Sequence, residues 1–315
     1  MKTVIQNPSP QITQTTDPQR LQNAFLSRRS EATKKAYRAD LCDFSEYLGL
    51  TSVTNALKTL LSQSSGSGNS LVLEYKNHLI EHGKSPATVN RRLATLKSVI
   101  KLARMMGLVS WSIEVEGETV TPYRDTKGPS RAGFEKIWKT INPNTAKGKR
   151  DRAILALLYD SALRRGEICS LDREDIDLSA MTLWVRGKGR SGQKELLTLA
   201  PETVKSLEEW VEIRGDEPGP LFTNFDRAGK GQRLTGSAVY YIVQYYGKKA
   251  DVNTRPHGLR HAAVTEALDR TNGNYRAVQQ FSRHRDTKTI MKYDDNREDL
   301  GGEVSRLVAS GISRL

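Results

Sequence analysis

The sequence predicts a mainly helical chain in two domains, the second an α+β domain with a small antiparallel sheet. Three observations carry this. Apolar residues recur at three- and four-residue spacing along most of the chain, as on the buried faces of amphipathic helices. One stretch, MTLWVRGKGRSGQKELLTL (181–199), instead has two strand-like runs around a Gly-rich turn, the pattern of a β-hairpin. Between two helical regions lies EVEGETVTPYRDTKGPS (114–130), with Gly, Pro and Thr and no sustained period, an interdomain linker. A length of 315 residues suffices for two ordinary domains, and a hydrophobic content of 37% favours two modest cores over one large one.

Residues 1–20 carry one early lysine, then polar residues with Pro8, Pro10 and Pro18. They read as a disordered leader without the apolar core of a signal peptide. The first domain, 21–113, is expected to be a helical bundle. Ser30 suits an N-cap, and Ala36, Tyr37, Leu41, Phe44, Tyr47 and Leu48 form an apolar face ending at Gly49. SQSSGSGNS (62–70) reads as a flexible loop. A second helix is expected from about Leu71 to Glu81, closed by His82-Gly83. Ser85-Pro86 then opens a third, with Val89, Leu93, Leu96, Val99, Ile100 and Ala103 on one face, and the bundle ends near Trp111. The second domain, 131–315, is expected to hold helices at about 131–141, 150–160, 201–213, 235–250, 257–269, 274–281 and 286–293, with the hairpin at 181–199. In the tail, Gly301-Gly302 read as a hinge before a helix over 303–315, where Val304, Leu307, Val308 and Ile312 share a face.

The formal charge is +13, and the excess is shared almost equally between residues 1–130 and 131–315. A chain basic on both sides of its linker suits a grip on a polyanion from two directions. Cys42 and Cys169 form no CxxC or disulfide pattern, which points to a reducing, cytoplasmic setting. No apolar run is long enough to span a membrane. His78 and His82 lie four apart, but HLIEH lacks the HExxH order and no metal site is expected. Gly187-Lys188-Gly189 enters no helix and is no phosphate loop, and no GxSxG elbow occurs.

What remains is cationic. HGLRHAAVTEAL (257–268) opens a helix after Pro256 with His257, Arg260 and His261 in its first turn. The helix dipole is positive there, so this gathering is best explained by a bound anion, most simply a phosphate. Arg164 follows an apolar turn in SALRRGEICSL, with Glu167 one helical turn on, where a carboxylate can orient the guanidinium. Lys188 tops the hairpin. His284 ends one helix and Tyr293 follows nine residues later. Taken singly, each has an ordinary alternative: a surface ion pair, a solvated turn lysine, a half-buried tyrosine.

Their order and combination are specific. Arg164, Lys188, His257-x-x-Arg260, His284 and Tyr293 resemble the signature of the tyrosine recombinase (phage integrase) family, over nearly the whole chain. SEATKKAYRADLCDF and SPATVNRRLATLK are similar to that family's helical core-binding domain, and LDREDIDL before the hairpin to its catalytic domain. This chain has Ala162 where many members have Gly before Leu-Arg, and Ser282-Arg283-His284 where many have Leu-Gly-His.

The resemblance implies a site-specific recombinase of double-stranded DNA that works through a covalent 3′-phosphotyrosine and a Holliday junction in a homotetramer, with no metal, cofactor or ATP. It implies Tyr293 as nucleophile, Arg164 and Arg260 as phosphate clamps, Lys188 as general acid, His257 as proton shuttle and His284 as phosphate donor, with Glu167 and His261 in support. The C-terminal tail would dock on a neighbouring protomer, and the setting would be a prokaryotic or phage nucleoid. Lys34, Lys35, Arg91 and Arg92 are expected on the DNA side of the first domain, against the alternative of a solvated helix face. The rival readings are a type IB topoisomerase and a DNA-binding protein without strand exchange.

Overall fold

The computed structural model describes residues 18–27, 29–120, 128–187, 193–226, 229–291 and 300–310. The chain divides into two compact units, Met1–Tyr123 and Arg124–Leu315.

The first unit is built from α1 (Pro18–Leu26), α2 (Glu31–Tyr47), α3 (Val53–Leu61), α4 (Ser65–Glu81) and α5 (Pro86–Met105). Serine hydroxyls cap three of them. Ser30, Ser64 and Ser85 each accept a hydrogen bond from the backbone N–H three residues on, and Pro86 occupies the first turn of α5. The core gathers Leu21, Phe44, Leu57, Tyr75, Leu93 and Val99, so all five helices contribute.

Two expectations change here. No helix was assigned at 53–61, yet α3 buries Ala56, Leu57 and Leu60. The segment 62–70 is not a loop throughout, because α4 begins at Ser65 and runs through both glycines. Composition suggested flexibility, but Gly68 serves close packing: a Cβ there would lie 2.5 Å from Trp111 Cη2. Within the segment read as a linker, side chains of α4 and α5 hold the backbone. Asn69 receives the Glu114 N–H (2.7 Å) and donates to Ser112 O (2.9 Å). Asn90 does the same for Glu118 N–H (2.7 Å) and O (2.8 Å), and Lys76 pairs with the Glu118 carboxylate (2.7 Å). Two side-chain amides thus fasten residues 112–118 to the first unit, as a neighbouring strand would.

The second unit contains α6 (Arg131–Lys139), α7 (Ala146–Tyr159), α8 (Arg165–Ser170), β1 (Ile176–Asp177), β2 (Thr182–Arg186), β3 (Lys194–Thr198), α9 (Pro201–Arg214), α10 (Gly236–Lys249), α11 (Pro256–Arg270), α12 (Tyr275–Ser282), α13 (Lys288–Met291) and α14 (Leu300–Ser310). The sheet is antiparallel in the order β1-β2-β3, with Trp184 opposite Leu196. The two-residue β1 was not foreseen as a strand.

Helix α7 is the axis of this unit. Ala153 to Leu158 are all buried, so its second half is apolar on every side, and α9 and α11 pack against the helix. A second, smaller core joins Ala162, Val264, Leu268, Val278 and Ile290 and locks α11 to α12. In the tail, α14 starts at Leu300 and includes Gly301 and Gly302, so these glycines are helical and not a hinge. Leu307 and Val308 on this helix are exposed. Among the described residues no helix is long and apolar enough to cross a membrane.

The glycine in α4 gives a test. Helix propensity alone favours Gly68→Ala by about 1 kcal/mol. The clash with the buried Trp111 ring costs about 1–3 kcal/mol. Gly68→Ala is therefore expected to lower the urea midpoint, and a raised midpoint would show that the ring yields freely.

Candidate anion site in the second unit

Four segments bring the site together: the turn 161–164 after α7, the start of α8, the first turn of α11, and residues 282–284 after α12. The turn 161–164 departs from the helix because Ala162 adopts a left-handed backbone (φ 46°), which sends Leu163 into the core and leaves Arg164 at the N-cap of α8. Residues 282–284 turn the same way at Arg283 (φ 55°, ψ 39°), the left-handed cap of α12. The two positions where many family members carry glycine are thus two positions where the backbone takes positive φ. Each costs a non-glycine residue on the order of 1 kcal/mol.

Arg164 is held on three sides. Its backbone N–H donates to Glu167 Oε2 (2.8 Å), Nη1 donates to Glu167 Oε1 (2.6 Å), and Nη2 donates to the Arg283 carbonyl (3.2 Å). About a third of the side chain (29%) stays exposed, so the group is anchored at one edge and open at the other. The pairing of Arg164 with Glu167 is the one the i, i+3 spacing predicts.

Arg260 is almost wholly buried. Its Nη1 donates to the Ala162 carbonyl and its Nη2 to the Ser282 carbonyl. Nη2 also lies 3.4 Å from His284 Nε2. A guanidinium only donates, so Nε2 is the acceptor in that contact. On the other side of the ring, Ser282 Oγ is 2.7 Å from His284 Nδ1 and 2.6 Å from the Val278 carbonyl. The hydroxyl has one proton and the carbonyl takes it, so Nδ1 carries the imidazole proton.

Electrostatics agree with a neutral ring. Burial, then the charges of Arg260, Arg164 and Arg283, push His284 down to about 4. Burial and the charges of Arg260, Arg255 and Arg164 also lower His257, whose residue still reaches solvent in the first turn of α11. His261 turns inward, with Nδ1 3.4 Å from Thr265 Oγ1 in the next turn of the helix.

The residue that sequence reasoning missed is Arg283. Its side chain is 6% exposed. Nη1 donates to the Ser161 and Phe281 carbonyls, and Nη2 to the Ala162 carbonyl and Glu167 Oε2, all at 3.1 Å. Glu167 therefore sits between two guanidiniums. Burial would raise its carboxyl, but Arg283, the Arg164 backbone N–H and the Arg164 charge together hold it below the ordinary range. The available signal was the replacement of glycine by a long cation at a helix end, which has to place its side chain somewhere.

Lys188 and Tyr293 lie outside the described residues; the strands flanking Lys188 end at Arg186 and resume at Lys194. In the first unit, Lys34 pairs with Glu31 (2.7 Å) and Lys35 is exposed. Arg91 pairs with Asp40 and stays 46% exposed. Arg92 is turned into the bundle, 13% exposed, with Nη1 2.7 Å from Asp43 Oδ2, which also accepts the Tyr75 hydroxyl (2.6 Å). Its charge is committed between α2 and α5.

The architecture is helical with a small antiparallel sheet, and Arg164, Arg260 and His284 meet between separate segments of it. Residues 130–299 match the model of the phage integrase family, a span that includes Arg164, Lys188, His257, Arg260, His284 and Tyr293. The chain belongs to that family. A tyrosine recombinase of Synechococcus elongatus is 38% identical over 295 residues, 92% of this chain and 92% of that protein. Among solved structures, a lambda integrase dimer bound to a COC′ core site superposes with a TM-score of 0.66 at 16% identity, covering 89% of this chain and 94% of that one. XerH recombinase in a post-cleavage complex with palindromic difH substrate gives 0.66 at 17% identity, covering 93% and 85%. At these identities the two structures speak for the fold.

The histidine assignment predicts a titration. In the free protein, His284 is expected to carry its proton on Nδ1 and to gain the second only near pH 4, as read by imidazole nitrogen NMR. Between that value and the ordinary 6.5 the unfolded chain binds the extra proton and the folded chain does not, so this residue makes stability fall as pH drops through that window. A His284 that titrates at 6.5 in the free protein would contradict the burial and the cationic field.

Proposed function

We propose that this protein is a site-specific recombinase of double-stranded DNA, cleaving and rejoining strands through a covalent 3′-phosphotyrosine and exchanging them through a Holliday junction in a homotetramer. The observation that carries this reading is the meeting of Arg164, Arg260 and His284, drawn from separate segments, around one point of the second unit. Membership of the family supplies the order of residues around them.

The chemistry follows from charge. The Tyr293 oxygen attacks the scissile phosphorus and its proton passes to the neutral His257. Negative charge builds on the non-bridging oxygens, where the guanidinium charges of Arg164, at its exposed edge, and of Arg260, behind it, would stabilise it. The bond to the 5′-oxygen breaks as Lys188 hands that oxygen a proton. His284 keeps Nδ1 for Ser282, so Nε2, which faces Arg260 Nη2 in the free protein, would be the nitrogen that turns to the phosphate. It donates there once the phosphate charge, absent in the free protein, draws a second proton onto the ring. The ester energy stays in the tyrosyl bond, so the free 5′-hydroxyl can reverse the step without ATP, and the cations of the protein do the work a metal ion does in other phosphoryl transfers.

Lys34, Lys35 and Arg91 would meet the DNA backbone from the first unit, whereas Arg92 would contribute through α5's position. The exposed Leu307 and Val308 of α14 suit a helix that buries its face on a neighbouring protomer. No assigned role needs a membrane, and we place the reaction in the cytoplasm, at the nucleoid.

On a nicked suicide substrate, Tyr293→Phe should bind DNA as the unaltered protein does and form no covalent adduct; adduct formation by this variant would remove Tyr293 as nucleophile. Arg164→Lys and Arg260→Lys keep the charge but lose the two-pronged geometry, and each should cut the cleavage rate by about 100-fold. Near-normal cleavage by either variant would remove the clamp. Adduct formation should persist in EDTA.

A further inference from the structure

The Glu167 network contains more than the family signature requires. Its unexpected member, Arg283, acts on Arg164 in two ways, once directly and once through Glu167. The Arg283 carbonyl accepts Arg164 Nη2 (3.2 Å), and the Arg283 guanidinium holds Glu167 Oε2 (3.1 Å), the oxygen that also accepts the Arg164 backbone N–H. The same guanidinium binds the Ser161 and Ala162 carbonyls, and Ala162 O is in turn a partner of Arg260. One buried side chain therefore ties together the carboxylate that aims Arg164, the turn that presents it, and a carbonyl that receives the second arginine.

Charge points the same way. A lone Glu167 facing Arg164 would neutralise the very group meant to meet an anion. With Arg283 on its other oxygen, the carboxylate is shared, and the trio keeps a net positive charge toward the open edge of Arg164. Nothing in the backbone asks for arginine here. The left-handed φ of 55° favours glycine, so the guanidinium is the reason a long residue occupies a strained position.

We propose that Arg283 is a positioning residue of the phosphate site, orienting Arg164 through Glu167 and through its own carbonyl, and leaving the Arg164 charge available to the substrate phosphate. This rests on the recombinase reading for the identity of the substrate; the geometry of the anion site does not.

Arg283→Gly is the decisive variant, since glycine suits the backbone and removes only the side chain. In single-turnover cleavage of a suicide DNA substrate at saturating protein, it should lose about tenfold or more in rate, while DNA affinity stays within about twofold. Arg283→Lys, whose three donors cannot serve Glu167 and all three carbonyls, should recover part of the rate. A residue that merely stabilises the fold would show no split between rate and affinity, and its defect would vanish well below the unfolding temperature. Wild-type rate in Arg283→Gly, equal losses in rate and affinity, or a defect abolished by cooling would each overturn the proposal.

A second probe keeps the two readings apart. Inorganic vanadate is titrated into the free protein and followed through the His257 and His284 imidazole signals. Weaker vanadate binding by Arg283→Gly, about fivefold or more, supports the positioning role even if the unaltered protein cleaves no DNA, in which case only the recombinase reading fails. Equal vanadate affinity overturns the role. Should Arg283→Gly not fold, the paired change Glu167→Gln with Arg283→Met removes both buried charges together and is expected to give the same loss of vanadate affinity; unchanged affinity in that pair overturns it too.

Discussion

The buried carboxylate of Glu167 is the interaction on which the second unit's site depends. A carboxylate this deep survives as an ion only if opposite charges and N–H donors surround it. Here they come from Arg164 and Arg283, from two parts of the chain more than a hundred residues apart. The carboxylate therefore does two things at once. It closes the turn after α7 onto the end of α12, and it decides where the Arg164 guanidinium lies.

Backbone carbonyls complete the arrangement. Arg164, Arg260 and Arg283 all donate to carbonyls of residues 161–162 or 281–283. Those carbonyls are free to accept because Ala162 and Arg283 have left helical geometry with positive φ. Local strain is exchanged for a set of charge-assisted hydrogen bonds, which are about twice as strong as neutral ones. Rigid support comes from α7, whose stretch Ala153–Leu158 is buried, and from α11 packed against it. The three cations also explain the histidines. Burial and the neighbouring guanidiniums, Arg260 and Arg164 among them, lower both rings below the ordinary histidine range.

In the first unit, polar side chains act as structure in the same manner. Asn69 and Asn90 substitute for a strand edge in holding residues 112–118, and the Arg92–Asp43–Tyr75 group ties α5, α2 and α4 together. A basic helix such as α5 therefore does not offer all its cations to a ligand. Arg91 and Arg92 are adjacent in sequence, yet one is half exposed and the other is enclosed.

Local patterning is enough to read the helical period of most elements, the hairpin strands, the Ser30 and Ser85 caps and the pairing of Arg164 with Glu167. All of these are local, set by residues within a few positions of one another. The family pattern named Arg164, His257, Arg260 and His284 as one site. Contacts between partners distant in the chain emerge only once the fold is in place. Gly68 looked like part of a flexible run because its reason, the Trp111 ring, lies more than forty residues away. Gly301 and Gly302 looked like a hinge, but glycine permits helix as well as turn. The proton on His284 Nδ1 depends on a hydroxyl whose own proton goes to the Val278 carbonyl, and the role of Arg283 depends on a carboxylate and three carbonyls gathered from two turns. Periodicity reports which face of an element is buried; it carries no information on which distant dipole or charge that face will meet.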